Sequence, residues 1–195
     1  MVFEIIILAL TLGMIKGGNI GKLEKLHIRG WYLFVISFTI EIISLFLISK
    51  TNYNISKILE NNFFYIHIFI YSLLILGLFI NRRECGLKLS LFGSVLNFLP
   101  ILMNSGKMPV SVKSLENAGL YNQITLLYDE RIMTHTLMTE NTKFGFLGDI
   151  IAIPRPYPFP KIISLGDILI SLGLFILIYS YMTKKENHKN TYINI

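Results

Sequence analysis

The chain has 195 residues, of which 53% are hydrophobic and only 15% charged, and 18 Lys and Arg against 12 Asp and Glu give a formal net charge of +6. The mean hydropathy is +0.58 and the pI is near 9.4. A soluble domain carries roughly 25% charged residues, so the composition points to a small integral membrane protein and excludes disorder, a disulfide scaffold (there is one Cys) and a large multidomain enzyme.

The first apolar run is Val2 to Ile15. A span needs about 20 residues at 1.5 Å each, so this run crosses as 2–18 only if Lys16 snorkels; an interfacial helix is the alternative. Glu4 stands where a signal peptide carries basic residues, and Gly13-Met14-Ile15-Lys16 offers no small-residue cleavage pattern, so the segment reads as a retained helix. Further spans are expected at 31–49, 63–80, 87–103 and 162–182. Trp31 and Tyr32, then Phe63, Phe64 and Tyr65, and finally Tyr179 and Tyr181 sit at span edges, as interfacial aromatic belts do.

Cations in the connections set an orientation. Lys16, Lys22, Lys25 and Arg29 follow the first run, Lys50 and Lys57 the second, Arg82, Arg83 and Lys88 surround the third turn, and Lys184, Lys185 and Lys189 lie in the tail. The richer side is cytoplasmic by the positive-inside rule, which puts the N-terminus outside and the C-terminus inside. That placement fits a partner surface of anionic membrane lipids better than nucleic acid. The expectation is an all-α fold: a single membrane domain over 1–195, a polytopic bundle of about five transmembrane helices, with a long extracytoplasmic loop, 104–161, between helices four and five and a cytoplasmic tail, 183–195.

A connection that long in a compact protein is functional or disordered, and this one is too apolar for disorder. In Asn104-Ser105-Gly106-Lys107-Met108-Pro109-Val110-Ser111, Gly106 allows a left-handed turn, Pro109 blocks helix continuation and Ser111 caps a short helix ending at Gly119. A polar stretch, His135 to Thr142, precedes Phe144 to Ile153, which is apolar apart from Asp149 and too short to span; it dips into the interface or packs under the loop. Pro154, Pro156, Pro158 and Pro160 alternate with Arg155, Tyr157 and Phe159, a pattern that favours an extended polyproline strut.

Several motifs recur in a fixed order: Gly17-Gly18 and Arg29-Gly30 after the first helix, Asn97, and Asn104-x-Gly106-x-Met108-Pro109-Val110. His135, Thr139, Thr142, Leu147-Gly148-Asp149 and Ser164-x-Gly166-Asp167 complete the set. With these the chain resembles the prokaryotic family DUF5317 up to about Met182, departing at Ser105, where a second glycine is expected. The resemblance implies a small multi-pass bacterial membrane protein and brings no established activity.

Two sets of residues carry candidate chemistry. Asn104, Gly106, His135, Thr139, Thr142 and Asp149 form a candidate ligand-binding set, because imidazole titrates near neutral pH and a carboxylate fixes its tautomer; capping turns and satisfying buried carbonyls would explain the same residues structurally. Glu41 and Asn97 form a candidate intramembrane proton or ion site, with His67 as a further neighbour of Glu41, since a carboxylate in hydrocarbon faces the interior and pairs or stays protonated. Asp167 is explained by stabilising a helix N-terminus. The histidines His27, His67, His135 and His188 show no metal-ligand spacing, and no metal site is expected; nothing names a cofactor. Gly13-x-x-x-Gly17-x-x-x-Gly21 and Ser90-x-x-x-Ser94 with Gly93 have small-residue packing spacing; Gly17-Gly18-Asn19 in the first reads better as a turn ending the helix, and the second is the better groove. The preferred function is a membrane protein that binds or transports a small molecule under the extracytoplasmic loop. The alternatives are a membrane-embedded enzyme acting on a lipid or isoprenoid-like substrate, and a non-catalytic subunit of a membrane assembly.

Overall fold

The computed structural model describes residues 1–50 and 53–184; Lys185, Lys189 and His188 of the tail lie outside them. The described chain is mostly helical, and the apolar runs are its long helices: α1 (Val2–Ile15), α2 (Trp31–Lys50), α4 (Phe63–Ile80), α5 (Leu87–Met103) and α8 (Leu165–Thr183). Of these, α2, α4 and α8 are long and apolar enough to cross a membrane, whereas α1 and α5 are shorter. Phe38, Ile42 and Phe46 stand exposed along α2, an apolar face suited to lipid rather than water. A short amphipathic helix, α3 (Tyr53–Asn61), occupies the connection between α2 and α4.

Contacts at the helix ends fix the directions. Gly77 of α4 lies against the Phe34 ring of α2, and Gly93 of α5 against the backbone of α8 at Gly166 and Ile170, so successive long helices run antiparallel. Helix α1 runs parallel to α8. Its Gly13 abuts Met182 near the end of α8, while Glu4 pairs with Lys161 just before the start of α8. The C-terminus of α1 closes as a Schellman turn: Gly17, at φ +74°, has its N–H on Met14 O and Gly18 has its N–H on Gly13 O, both at 2.9 Å. Asn19 N–H then reaches Met182 O at 3.1 Å, tying this corner to α8.

The tightest seam joins α5 to α8. Gly86 and Gly93 face Gly173 and Gly166, two seven-residue spacings read in opposite directions, and Ser90 Oγ donates to Ile170 O at 3.1 Å between them. Small side chains let the two backbones touch, which gives the helices close van der Waals contact along the seam. The start of α8 is set by a capping box, in which Ser164 Oγ accepts from Asp167 N–H and the Asp167 carboxylate accepts from Ser164 N–H. That box moves the helix start to Leu165, and Ile162 and Ile163 of the expected 162–182 span belong to a strand.

The segment 104–161 is a folded cap rather than a loop, so the fold is not purely helical. Strand β1 (Met108–Val110) pairs in parallel with β2 (His135–Leu137), with Met108 opposite His135, and Val110 also bridges Asp149. Between the strands lie α6 (Val112–Asn117), capped by Ser111, and α7 (Tyr121–Tyr128); Val110, Leu115 and Leu127 form their shared core. Burying each such side chain is worth roughly 1.5–3 kcal/mol. Strands β3 (Ile151–Ile153) and β4 (Lys161–Ile163) pair antiparallel, with Ile153 opposite Lys161. The prolines therefore do not form an extended strut. They form the loop of a hairpin, where the peptide before Pro156 is cis and Tyr157 N–H reaches Pro154 O at 3.2 Å; ladder bonds on both sides turn the chain back on itself.

Candidate functional site

The cap rests on the ends of α4 and α5 through two clamps. Asn104, just past α5, accepts from Lys143 N–H at 3.0 Å and donates to Lys143 O at 2.7 Å, a two-way bond to a residue 39 positions away. His67, buried in α4, is 2.5 Å through Nδ1 from Gly106 O. A carbonyl can only accept, so a proton sits on Nδ1, and in the neutral form of the ring Nε2 is the acceptor. Gly106 holds φ +77°, and an added Cβ would stand 2.9 Å from Phe64 Cα, so both conformation and space require glycine there.

Between these clamps lies a polar pocket of about 120 Å³ lined by Glu41, His67, Tyr71, Asn97, His135 and Asp149, together with Thr134, Asp167, Ile101 and Met108. Helices α2, α4, α5 and α8 supply one wall and the cap the other. Glu41 and Asn97, placed on separate helices outside the cap, thus share a cavity with His135 and Asp149. Asn104, Thr139 and Thr142 do not line it. Asn104 is a clamp, and Thr142 Oγ1 accepts from Thr139 N–H at 2.8 Å within a turn; Gly106 contributes only its carbonyl, through His67.

Each polar group in the pocket has a distinct set of partners. Asn97 Nδ2 donates to Asp167 Oδ1 at 2.9 Å and its Oδ1 accepts from Ser164 Oγ at 2.7 Å, so the amide locks the capping box of α8 to α5. Asp149 is held at both backbone ends by the cap: its N–H donates to Pro109 O at 2.9 Å and its O accepts from Ser111 N–H at 3.1 Å. Its Oδ2 lies 3.3 Å from His135 Nε2, and His135 Nδ1 lies 2.7 Å from Thr134 Oγ1. With Nε2–H directed at the carboxylate, Nδ1 accepts from the Thr134 hydroxyl, giving a continuous hydroxyl–imidazole–carboxylate chain. Asp149 is only 6% exposed, and burial holds its carboxyl above the ordinary value against the opposing pull of the His135 hydrogen bond. Glu41, by contrast, has no hydrogen-bond or ion-pair partner among the described residues.

A second cavity, an outer groove of about 430 Å³, opens within the cap on the other side of the same pair. Thr134, His135 and Asp149 line it too, with Gln123 and Lys161 as further polar groups and Leu126, Leu127 and Ile162 among its apolar walls. Lys161 is itself paired with Glu4; burial pulls its ammonium down, the carboxylate more than offsets this, and the net shift is upward. Among the described residues no group of three or more His, Cys, Asp and Glu is assembled as a metal site.

Tyr71 and Thr134 were not singled out from sequence. Tyr71 stands one helical turn beyond His67 with ring centroids 5.2 Å apart, so an i, i+4 polar pair inside an apolar run was the available signal. Thr134 gave none, since its role depends on the strand that orients its neighbour.

The family model of DUF5317, described as a family of unknown function, matches residues 25–179. An uncharacterized protein of Thermotoga maritima is 31% identical over 176 residues, covering 90% of this chain and 89% of its own. No solved structure matches.

Proposed function

We propose that this chain, which belongs to the DUF5317 family, is a multi-pass membrane protein that binds a small molecule in the outer groove of an extracytoplasmic cap, above a bundle in which α1 and α5 join the three longer helices as spans. One observation supports this reading above others: the His135–Asp149 pair lines both the outer groove and the pocket between the helices. The groove volume falls in the 300–1,000 Å³ range of ligand sites, and its walls combine apolar surface with convergent polar groups. The inner pocket, at about 120 Å³, lies below that range.

Native mass spectrometry of the detergent-released chain tests the reading. The wild type is expected to retain a small-molecule adduct that both Leu126→Trp, which fills the groove, and His135→Ala lose while remaining folded. An adduct unchanged in both variants, or none in any preparation or with an added metabolite library, overturns it.

The hydroxyl–imidazole–carboxylate chain favours one second reading, an enzyme acting on a lipid or isoprenoid-like substrate with Thr134 Oγ1 as nucleophile. The two readings part at Thr134→Val, which would spare binding and abolish turnover if the enzyme reading holds.

The orientation is part of the proposal and has its own test. Cys85 is exposed in the turn between α4 and α5, on the side placed in the cytoplasm, so an impermeant thiol reagent applied to intact cells is expected to miss it. With Cys85→Ser, a cysteine at the exposed Asn117 is expected to label. The reverse pattern inverts the topology.

A further inference from the structure

The inner pocket brings three carboxyl groups and two imidazoles together: Glu41 from α2, His67 from α4, His135 from β2, Asp149 from the cap and Asp167 from α8, with the Tyr71 hydroxyl also from α4. Helix α5 adds only the non-titrating Asn97. Like charges repel more strongly the less water screens them, so three bare carboxylates lining one small pocket would repel one another. Two of the three have fixed compensation. Asp167 accepts from Asn97 Nδ2 and from Ser164 N–H and sits at the N-terminus of α8, where the helix dipole favours its charge. Asp149 faces His135 Nε2. Glu41 has no hydrogen-bond or ion-pair partner among the described residues, so its charge is the one the surroundings leave to a proton.

A route for that proton is built from the same residues. His135 borders both cavities; its Nδ1 is hydrogen-bonded to Thr134 Oγ1 and its Nε2 lies 3.3 Å from Asp149 Oδ2. A ring of this kind takes a proton on one nitrogen and releases one from the other. On the helix side, the His67 Nδ1 proton is committed to Gly106 O, and in the neutral ring Nε2 is an acceptor in the pocket that Glu41 also lines. We propose that the inner pocket is a proton-binding site centred on Glu41, that it exchanges with the outer groove through the His135–Asp149 pair, and that groove occupancy and Glu41 protonation are linked. The proton site stands on the pocket's own geometry, and only the linkage rests on the ligand reading. Because the shared pair contacts both occupants, any change that a ligand makes to Asp149 or His135 alters the proton affinity of the pocket, and the reverse follows by reciprocity.

Infrared difference spectroscopy of the full chain in proteoliposomes, with pH changed only on the cap side, tests the proposal. The wild type is expected to show a protonated-carboxyl C=O band that follows the pH change, vanishes in Glu41→Gln and shifts in Glu41→Asp. In His135→Ala the band is expected to persist but respond at least ten-fold more slowly. A band that survives Glu41→Gln unchanged, no protonated-carboxyl band in a folded wild type, or a His135→Ala response as fast as the wild type overturns it. The readout needs no ligand, so a missing adduct with an intact Glu41 band refutes the ligand reading alone, and a missing band with an intact adduct refutes this one alone.

Discussion

Gly93→Leu is expected to abolish accumulation of the folded chain, and Gly93→Ala to lower its stability by about 2 kcal/mol, inside the 1–3 kcal/mol range of overpacking. Even the methyl of alanine would stand 2.5 Å from Gly166 O and 2.9 Å from Ile170 N. Both neighbours are backbone atoms of α8, which cannot rotate aside as a side chain would, so relief requires the helices to separate. Separation has consequences well beyond the contact. It would stretch the Ser90–Ile170 bond and pull Asn97 from Ser164 and Asp167, leaving buried or partly buried polar groups without their partners. Ser94→Ala is the matched control on the same helix. The Ser94 hydroxyl is buried with no hydrogen-bond partner among the described residues, so its removal is expected to be neutral or stabilising. Unfolding in mixed micelles, followed through Trp31 fluorescence or protease resistance, gives the comparison. Equal stability of Gly93→Ala and Ser94→Ala would show that the glycine seam does not hold α5 to α8.

The helices were legible because an apolar run and its boundaries are local signals. The run Phe63 to Ile80 is α4 to the residue, and Leu87 to Met103 is α5. The Ser111 cap and the left-handed Gly106 and Gly119 also follow from single residues whose chemistry admits few alternatives. The cap's strands were not legible, because each is three residues long, too short to show a period of two. Their pairing is also non-local, as Met108 meets His135 across α6 and α7. The proline run was misread for the same reason: polyproline preference is intrinsic to the residues, while the hairpin is imposed by Ile151 and Ile163 pairing outside the run.

The candidate site shows the same division. Glu41, Asn97, His135 and Asp149 could be named individually from polarity in apolar surroundings, but nothing in their spacing showed that they share a pocket. That depends on α2, α4 and α5 all presenting polar side chains toward the end where the cap sits. Thr139 and Thr142 were grouped with them by sequence proximity to His135, yet the turn that follows β2 directs them into their own hydrogen bond.

Asp149→Asn is expected to leave the chain folded, to flatten the pH dependence of its stability, and to weaken groove binding by about 10- to 100-fold. The binding loss follows from removing the charged acceptor that Asp149 presents to the groove, since a hydrogen bond to a charged group is worth roughly 1.5–3 kcal/mol. The stability effect has the opposite character. Burial raises the carboxyl's affinity for its proton above that of the unfolded chain, so the folded state binds more protons than the unfolded state at pH values between the two pKa values. Stability supplied by the protonated form is fully present below the unfolded pKa and is lost as pH rises through the folded one. Asparagine keeps the shape and a hydrogen-bonding amide without an ionisable proton, so this loss disappears, and the thermal midpoint of the variant is expected to fall less between acidic and neutral pH than that of the wild type. The two readouts separate a functional from a structural role. A purely structural Asp149 would lose stability on substitution at every pH and leave any retained ligand bound with unchanged affinity, whereas a binding residue kept at the expense of burying a carboxylate shows weakened binding with undiminished stability at neutral pH.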